Sequence, residues 1–539
     1  MHIAINISNG IPYATVMTSV REGKTVKKKS VVYLGRVLDE ERGIYKSAER
    51  GVFSYDLRTN TFGQAPADFV PQIRRKNARP SYIVDFGDAF LFNSLIEKFG
   101  LLPALEAISY GNPDSFRALL LYYMLESRSN AQAEVWWEGS YARILFPNAN
   151  LTTQRINSML EALGREDVLR AFFGAYLKHL GSNARSEANI LIDSTGLPNS
   201  IRFPLTAISN HNGEISEEVR LIYVVQQGTR LPIYMRYVPG NVVGTTTLIT
   251  TLKELKAMEV NTKFAILDAG YVTEKGLRQL YDDNISFITR CPTNRTIYKR
   301  LMANELTDLE KAENLAVDKE GMLFNDRQVY VKCVPIDYEG MKLYAYIGRD
   351  VAMREIERKK IVNRLVNSKK PVRKDELQSS LEELGVFVLL STRKIRADLI
   401  LSHYYVRQDV EQVFDISKNY ASLLPLNVEK EETFRGHLLM TFIATVVLQM
   451  LQNKIRQSTF TLDRILARMR TQKAKVFDQT VIPTEMVKEH NEIYKLLGIK
   501  PAKEYPINRD FARIIFSGNS PRSTPPRRGF SYATASSSQ

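Results

Sequence analysis

The chain has 539 residues and a formal net charge of +15 at pH 7, with two cysteines and six histidines. A basic surplus of that size favours a polyanionic partner, nucleic acid or an anionic membrane surface. Cys291 and Cys333 have no paired spacing, which argues against a zinc site or disulfide framework and suits a reducing cytoplasm. The histidines are scattered, so the ligands of any metal would be carboxylates and the metal hard.

Residues 1–80 read as β-rich. YATVMTSV, REGK and TVKKKSVVYLGRV predict a hairpin turning at Glu22-Gly23, and GVFSYDLRTNTFG adds strands. Gly23-Lys24-Thr25 lacks a glycine five residues earlier and is not a phosphate loop. Residues 81–186 turn helical, in DAFLFNSLIEKFGL, SFRALLLYYMLESR and LTTQRINSMLEALG. In the last of these, Thr152 or Thr153 caps a short helix that turns Gln154, Arg155 and Asn157 outward. A DNA-reading helix has that pattern, as does any polar helix face. We assign 81–186 as a candidate DNA-end-binding domain.

From 187 to 292 the order is strand, strand, strand, helix, strand, helix, strand, an α/β unit with a mixed sheet. Residues 293–385 break the pattern. MLFNDRQVYVKCVPIDYEGMKLYAYIGRD alternates like antiparallel strands, and a charged, mostly helical stretch follows, so the segment reads as an insertion. Residues 386–460 resume with the apolar strand GVFVLLST and the helix RGHLLMTFIATVVLQMLQNKIRQ. Its apolar run, Leu438 to Leu451, is too short to span a bilayer and reads as buried, and no signal peptide opens the chain. Residues 461–516 read as a C-terminal helical region and a candidate dimerisation element. Residues 517–539 hold no acidic residue and predict a disordered tail.

Two apolar runs end in aspartate, LID at Asp193 and ILD at Asp268. An open α/β sheet places its chemistry outside the carboxyl ends of its strands. Singly, each Asp could cap a turn. Together they need positive charge nearby, and a divalent cation supplies it. A third carboxylate lies in HYYVRQDVEQVFDISKNY, residues 403–420, a predicted helix with Val406, Val410, Val413 and Phe414 on one stripe. Beside that stripe Tyr404, Arg407, Glu411 and Lys418 fall within an arc of roughly 60°. A solvated Arg407–Glu411 pair, worth about 0.2–0.5 kcal/mol, is the plain reading. The alternative is that two strand aspartates and Glu411 hold two magnesium ions while Arg407, Lys418 and Tyr404 contact phosphates.

The spacing Tyr404, two residues, Arg407, three residues, Glu411, six residues, Lys418 matches in full the Y-(2)-R-(3)-E-(6)-K signature of one group of bacterial insertion-sequence DDE transposases. Asp193-Ser194-Thr195 and Asp268-Ala269-Gly270-Tyr271 resemble that group's aspartate motifs, and Arg435-Gly436-His437 sits where related chains often have it. The resemblance covers roughly 187–455. It implies an RNase H-like mixed-sheet core (187–292 and 386–460) interrupted by a mainly β insertion, and a cut-and-paste transposase working with Mg2+, Mn2+ being able to substitute. Asp193, Asp268 and Glu411 would be the catalytic, metal-binding triad. Tyr404, Arg407 and Lys418 would hold transposon-end DNA; Gln154 and Arg155 are candidate DNA contacts on the pattern of their helix face alone, apart from the resemblance. Double-stranded DNA and a second copy of the chain would be the partners, in a bacterial cytoplasm and without a membrane. In this group a tryptophan in the insertion can support a hairpin intermediate. Here the only tryptophans are Trp136 and Trp137, which read as core or interface residues, so another aromatic substitutes or the hairpin step differs. A catalytically silent, transposase-derived DNA-binding protein and a simple metal-dependent nuclease are the competing readings.

Overall fold

A computed structural model describes residues 1–8, 11–22, 25–47, 49–66, 69, 81–181, 188–199, 203, 205–211, 214–242, 245–318, 320–368, 381–424 and 428–507. The tail expected at 517–539 lies outside them. The chain divides into two compact units, Met1–Arg79 and Pro80–Gln539.

The first unit is an antiparallel meander in chain order: β1 (His2–Ser8), β2 (Ile11–Glu22), β3 (Thr25–Asp39), β4 (Ile44–Ser47), β5 (Gly51–Asp56) and β6 (Thr61–Gln64). The β2–β3 hairpin pairs Glu22 with Thr25 across the expected turn. One face carries a small core of Ala14, Val16, Leu34, Tyr45, Phe53 and Tyr55.

In the second unit, β7 (Tyr82–Asp85) leads into the helices of the 81–186 region. A mixed sheet follows, built from β8 (Ala188–Pro198), β9 (Ala207–His211), β10 (Glu214–Gln226), β11 (Pro232–Pro239), β12 (Thr262–Leu267), β13 (Ser286–Arg290), β14 (Val329–Tyr338), β15 (Met341–Asp350) and β16 (Val386–Ser391). Among the described residues its order is β11-β10-β8-β12-β13-β16-β15-β14, with β9 beside β10. β8, β12 and β13 run parallel, and the remaining pairs are antiparallel. The strands of the 293–385 segment do not form a sheet of their own. β14 and β15 extend this sheet through β16, because Tyr344–Arg349 completes the backbone hydrogen bonds that β16 would otherwise leave open.

The C-terminal region, expected to be helical, also contributes β17 (Lys473–Val476), β18 (Thr480–Pro483) and β19 (Tyr505–Pro506). They form a four-stranded sheet with β7, in the order β19-β18-β17-β7. The lysines of Lys473–Val476 mask the strand signal, and the partner β7 lies at the other end of the unit.

Glu431–Ile455 is long and apolar enough to cross a membrane by length and composition, but the protein itself buries most of it. It packs against the Thr153–Leu163 helix so closely that glycines are required on both sides. A Cβ at Gly436 would collide with the carbonyl oxygen of Leu160, and one at Gly164 with that of Glu432. Trp136 packs edge-on to Tyr122 with ring centroids 5.4 Å apart. The Trp137 indole donates to the Phe146 carbonyl at 3.1 Å. Both are half-buried parts of the helical region's packing.

Candidate active site

Strand alternation sets the site. On β8, Ile190 and Ile192 enter the core on one face of the sheet and Leu191 and Leu197 the core on the other. Asp193 and Thr195 therefore share the Leu191 face. That face is covered by the Gln408–Tyr420 helix through Val410, Val413 and Phe414, with Phe414 stacked on Tyr223 of β10 at 5.0 Å. Asp193 is not the end of its strand, as its apolar run suggested. β8 continues to Pro198, and Asp193 pairs with Tyr223. What ends there is the ladder to β12, whose last pair is Leu267 with Ile192. Asp268 follows Leu267 directly and opens a short 3-10 turn. The two aspartates are thus the first residues beyond the last paired position of adjacent parallel strands.

The 403–420 stretch is interrupted: Ile400–Tyr404 and Gln408–Tyr420 are α-helices and Tyr405–Arg407 a 3-10 turn. The interruption leaves Arg407 at the mouth of the second helix, facing the strand ends. Its Nη2 lies 2.9 Å from Glu411 Oε1 and 3.6 Å from Asp193 Oδ2, while Nη1 pairs with Asp268. Asp193, Asp268 and Glu411 therefore converge on one guanidinium. The Asp193 side chain is 12% exposed, against 39% for Asp268 and 53% for Glu411, so one carboxylate forms the floor and two the rim. Burial pushes the Asp193 carboxyl up to about 6; Arg407 pulls it back, and the neighbouring Asp268 and Glu411 charges push it up again. For Arg407, burial opposes the charge, but Asp193, Asp268 and Glu411 outweigh it and hold the guanidinium above its ordinary value.

Lys418 reaches the same face of β8, its ammonium 2.6 Å from Thr195 Oγ1, and burial pulls its pKa down while Asp415 and Glu218 oppose this. Tyr404 is buried beside Arg407; burial raises its hydroxyl to about 12, with Arg407 opposing. Gln154 and Arg155 are exposed on the Thr153–Leu163 helix, whose other face buries Ile156, Met159, Leu160 and Leu163. They are not drawn into the carboxylate cluster.

Reading residue by residue missed a supporting layer. Ser194 faces the opposite side of β8 from Asp193. Its hydroxyl accepts from Arg220 Nη1 at 3.3 Å and hydrogen-bonds Tyr271, the tyrosine of the second aspartate motif. Arg220 pairs with Glu218 at 3.0 Å, both nearly buried. The Glu218 carboxylate lies over Gly196, where a Cβ would collide with it. The two aspartate motifs are thus tied together behind the site, and the Tyr271 of the quoted motif was the available signal. The Arg435-Gly436-His437 motif has structural partners. Arg435 pairs with Glu166 at 2.8 Å, Gly436 allows the helix crossing described above, and His437 Nδ1 lies 2.8 Å from the Tyr123 hydroxyl.

His437 is fully buried, and desolvation holds its pKa below the ordinary value, the Leu423 carbonyl opposing. A depressed folded-state pKa means that the unfolded chain takes up the proton first as pH falls. The His437 contribution should therefore be lost below about pH 6.5 by up to about 1.4 kcal/mol per pH unit, until its folded-state pKa is reached. The Asp193 carboxyl, raised to about 6, acts in the opposite sense over the same range, so the His437 part is read by difference: in chemical denaturation at pH 7 and pH 5 the wild type should lose more stability, or gain less, than His437→Gln.

Among the described residues no three His, Cys, Asp or Glu side chains stand where they could together hold a metal ion. Arg407 takes the central position between the carboxylates. The donor set itself, carboxylate oxygens without sulfur or imidazole, suits a hard divalent cation.

The fold and site define a class: a mixed-sheet α/β protein in which acidic residues from two parallel strands and a covering helix meet on one cation. Residues 187–447 match the family model described as the transposase DDE domain. Residues 187–447 are thus a transposase DDE domain, of a family whose activity is DNA cleavage and transposition and whose members generally use divalent metal ions. No curated protein matches the chain. The solved piggyBac transposase synaptic complex with hairpin DNA is similar over 81% of this chain and 86% of that one, at 11% identity and a TM-score of 0.40.

Proposed function

We propose that the chain is a cut-and-paste DNA transposase of the Y-(2)-R-(3)-E-(6)-K group, acting as a homodimer on its terminal inverted repeats through an RNase H-like core. The observation that carries this is the convergence of Asp193, Asp268 and Glu411 on Arg407 at the ends of β8 and β12. The strand order β11-β10-β8-β12-β13, with the first three antiparallel and the last two parallel to β8, supports the core assignment.

Asp193, Asp268 and Glu411 would hold Mg2+, or Mn2+ in its place. The bound ions would activate water or a 3′ hydroxyl and stabilise the leaving oxygen. Arg407, released from the carboxylates, is positioned to bind a phosphate in a bidentate way, and Lys418 supplies a second positive charge on the same face. Tyr404 keeps its proton at neutral pH and can donate to a phosphate oxygen. Asp193 on its rigid strand fixes the floor, with Ser194, Tyr271 and Arg220 holding the backbone behind it.

The test is incubation with a plasmid carrying the element's ends, Mg2+ and a target plasmid. Cleavage at the ends and joining of the new 3′ hydroxyls to target DNA is the expected result. Binding of the ends without cleavage or joining would leave the silent DNA-binding protein. Cleavage without joined products would leave the nuclease.

A further inference from the structure

The first unit has no role in the proposed chemistry, yet it carries a cluster of positive charge that the catalytic site leaves unused. β1 covers β2 from Ile11 to Met17, and β4 covers β3 from Arg36 to Asp39. Between these limits, from Thr18↔Lys29 to Glu22↔Thr25, β2 and β3 pair with each other and with no other strand among the described residues. The hairpin therefore extends from the sheet as a two-stranded ribbon. Five paired positions at ~3.4 Å per residue give it a length of roughly 14–17 Å.

Residues 18–29, TSVREGKTVKKK, hold five basic residues and one acidic residue. Arg21, Lys27, Lys28 and Lys29 are all exposed. Register divides them between both surfaces. Lys27 and Lys29, opposite Val20 and Thr18, lie on one surface; Arg21 and Lys28, opposite Val26 and Ser19, lie on the other. A two-stranded hairpin is marginal by itself in water. Val20 and Val26 stay 40% and 65% exposed, so no core compensates.

We propose that this ribbon is a DNA-binding arm that enters the major groove of duplex DNA. The groove is ~12 Å wide and admits a two-stranded β-ribbon. Phosphate backbones then flank it on both sides, which suits a ribbon basic on both surfaces. The contacts are mainly to phosphates, so the arm adds affinity more than sequence choice. The choice of DNA over other polyanions rests on the transposase reading.

The test uses the full chain, a labelled 30-base-pair duplex of arbitrary sequence, and fluorescence anisotropy across a range of KCl. The variant is Lys27→Thr/Lys28→Thr/Lys29→Thr, which keeps β propensity at exposed positions. Loss of three phosphate contacts should weaken binding at least ~10-fold near 0.1 M salt and lower the log–log salt slope by roughly 2–3. Duplex DNA should also protect these lysines from acetylation in the wild type. An affinity and slope within twofold of wild type overturn the proposal. So does a variant that self-associates by light scattering while binding DNA normally, since the lysines would then serve to guard a strand edge. A wild type that binds no duplex at all would remove the DNA reading itself, an outcome distinct from failure of the arm alone.

Discussion

Glu411→Gln should abolish strand cleavage, by about 10³-fold or more, while leaving the fold and DNA binding intact. The substitution keeps size and hydrogen-bonding length but removes the charge from one of the three groups that meet at the strand ends. A 10³-fold loss corresponds to about 4 kcal/mol of transition-state stabilisation, within reach of losing one anionic ligand of a hard cation. The fold should be insensitive. Glu411 sits on the rim with its side chain 53% exposed, and its pair with Arg407 is one of three that the guanidinium makes. Exposed substitutions of this kind usually move stability by less than about 0.5 kcal/mol. DNA affinity should hold or rise, because a negative charge leaves a surface that faces phosphate. Nicking of a labelled end fragment, read beside anisotropy on the same fragment, separates the two effects. Undiminished nicking would take Glu411 out of the mechanism.

Much of this site is legible in the sequence, and the reasons are local. The Arg407–Glu411 contact follows from i, i+4 spacing, and it survives the break at Tyr405–Arg407 because the second helix begins immediately after it. The apolar runs before Asp193 and Asp268 mark buried parallel strands, which need no alternation because both faces are covered. What was not legible depends on neighbours distant in the chain. Nothing within LIDSTG says that the strand runs on past Asp193, since its continuation is decided by β10. The expected insertion alternates like an independent sheet, yet its strands find an open edge at β16. Lys473–Val476 reads as surface helix or loop until Tyr82–Asp85 is placed beside it. Sharing Arg407 among three carboxylates also could not be read, because spacing links it to Glu411 alone.

Arg407→Ala should destabilise the protein without divalent cation by about 3 kcal/mol and should make its melting temperature more responsive to added Mg2+ or Mn2+ than that of the wild type. Among the described residues Arg407 is the ion-pair partner of Asp193, whose carboxylate is almost fully buried, and it also pairs with Asp268 and Glu411. Removing one partner of a buried charge pair typically costs about 3–5 kcal/mol; the lower end applies here, since Asp268 and Glu411 keep much of their hydration. Three carboxylates left without their shared cation repel one another, and a divalent ion relieves that repulsion. In the wild type the same ion must first displace the guanidinium, so its net gain is smaller. A site filled at 100 times its dissociation constant adds about 2.7 kcal/mol, enough to offset most of the substitution's cost. The same variant should bind end DNA more weakly, because the displaced guanidinium is the group nearest the site able to grip a phosphate with two hydrogen bonds. Thermal melts with and without cation, at fixed ionic strength, provide the measurement. Equal shifts in wild type and variant would mean that Arg407 and the cation do not compete for the carboxylates. The guanidinium would then be a permanent structural bridge rather than a group that changes partners when DNA and metal arrive.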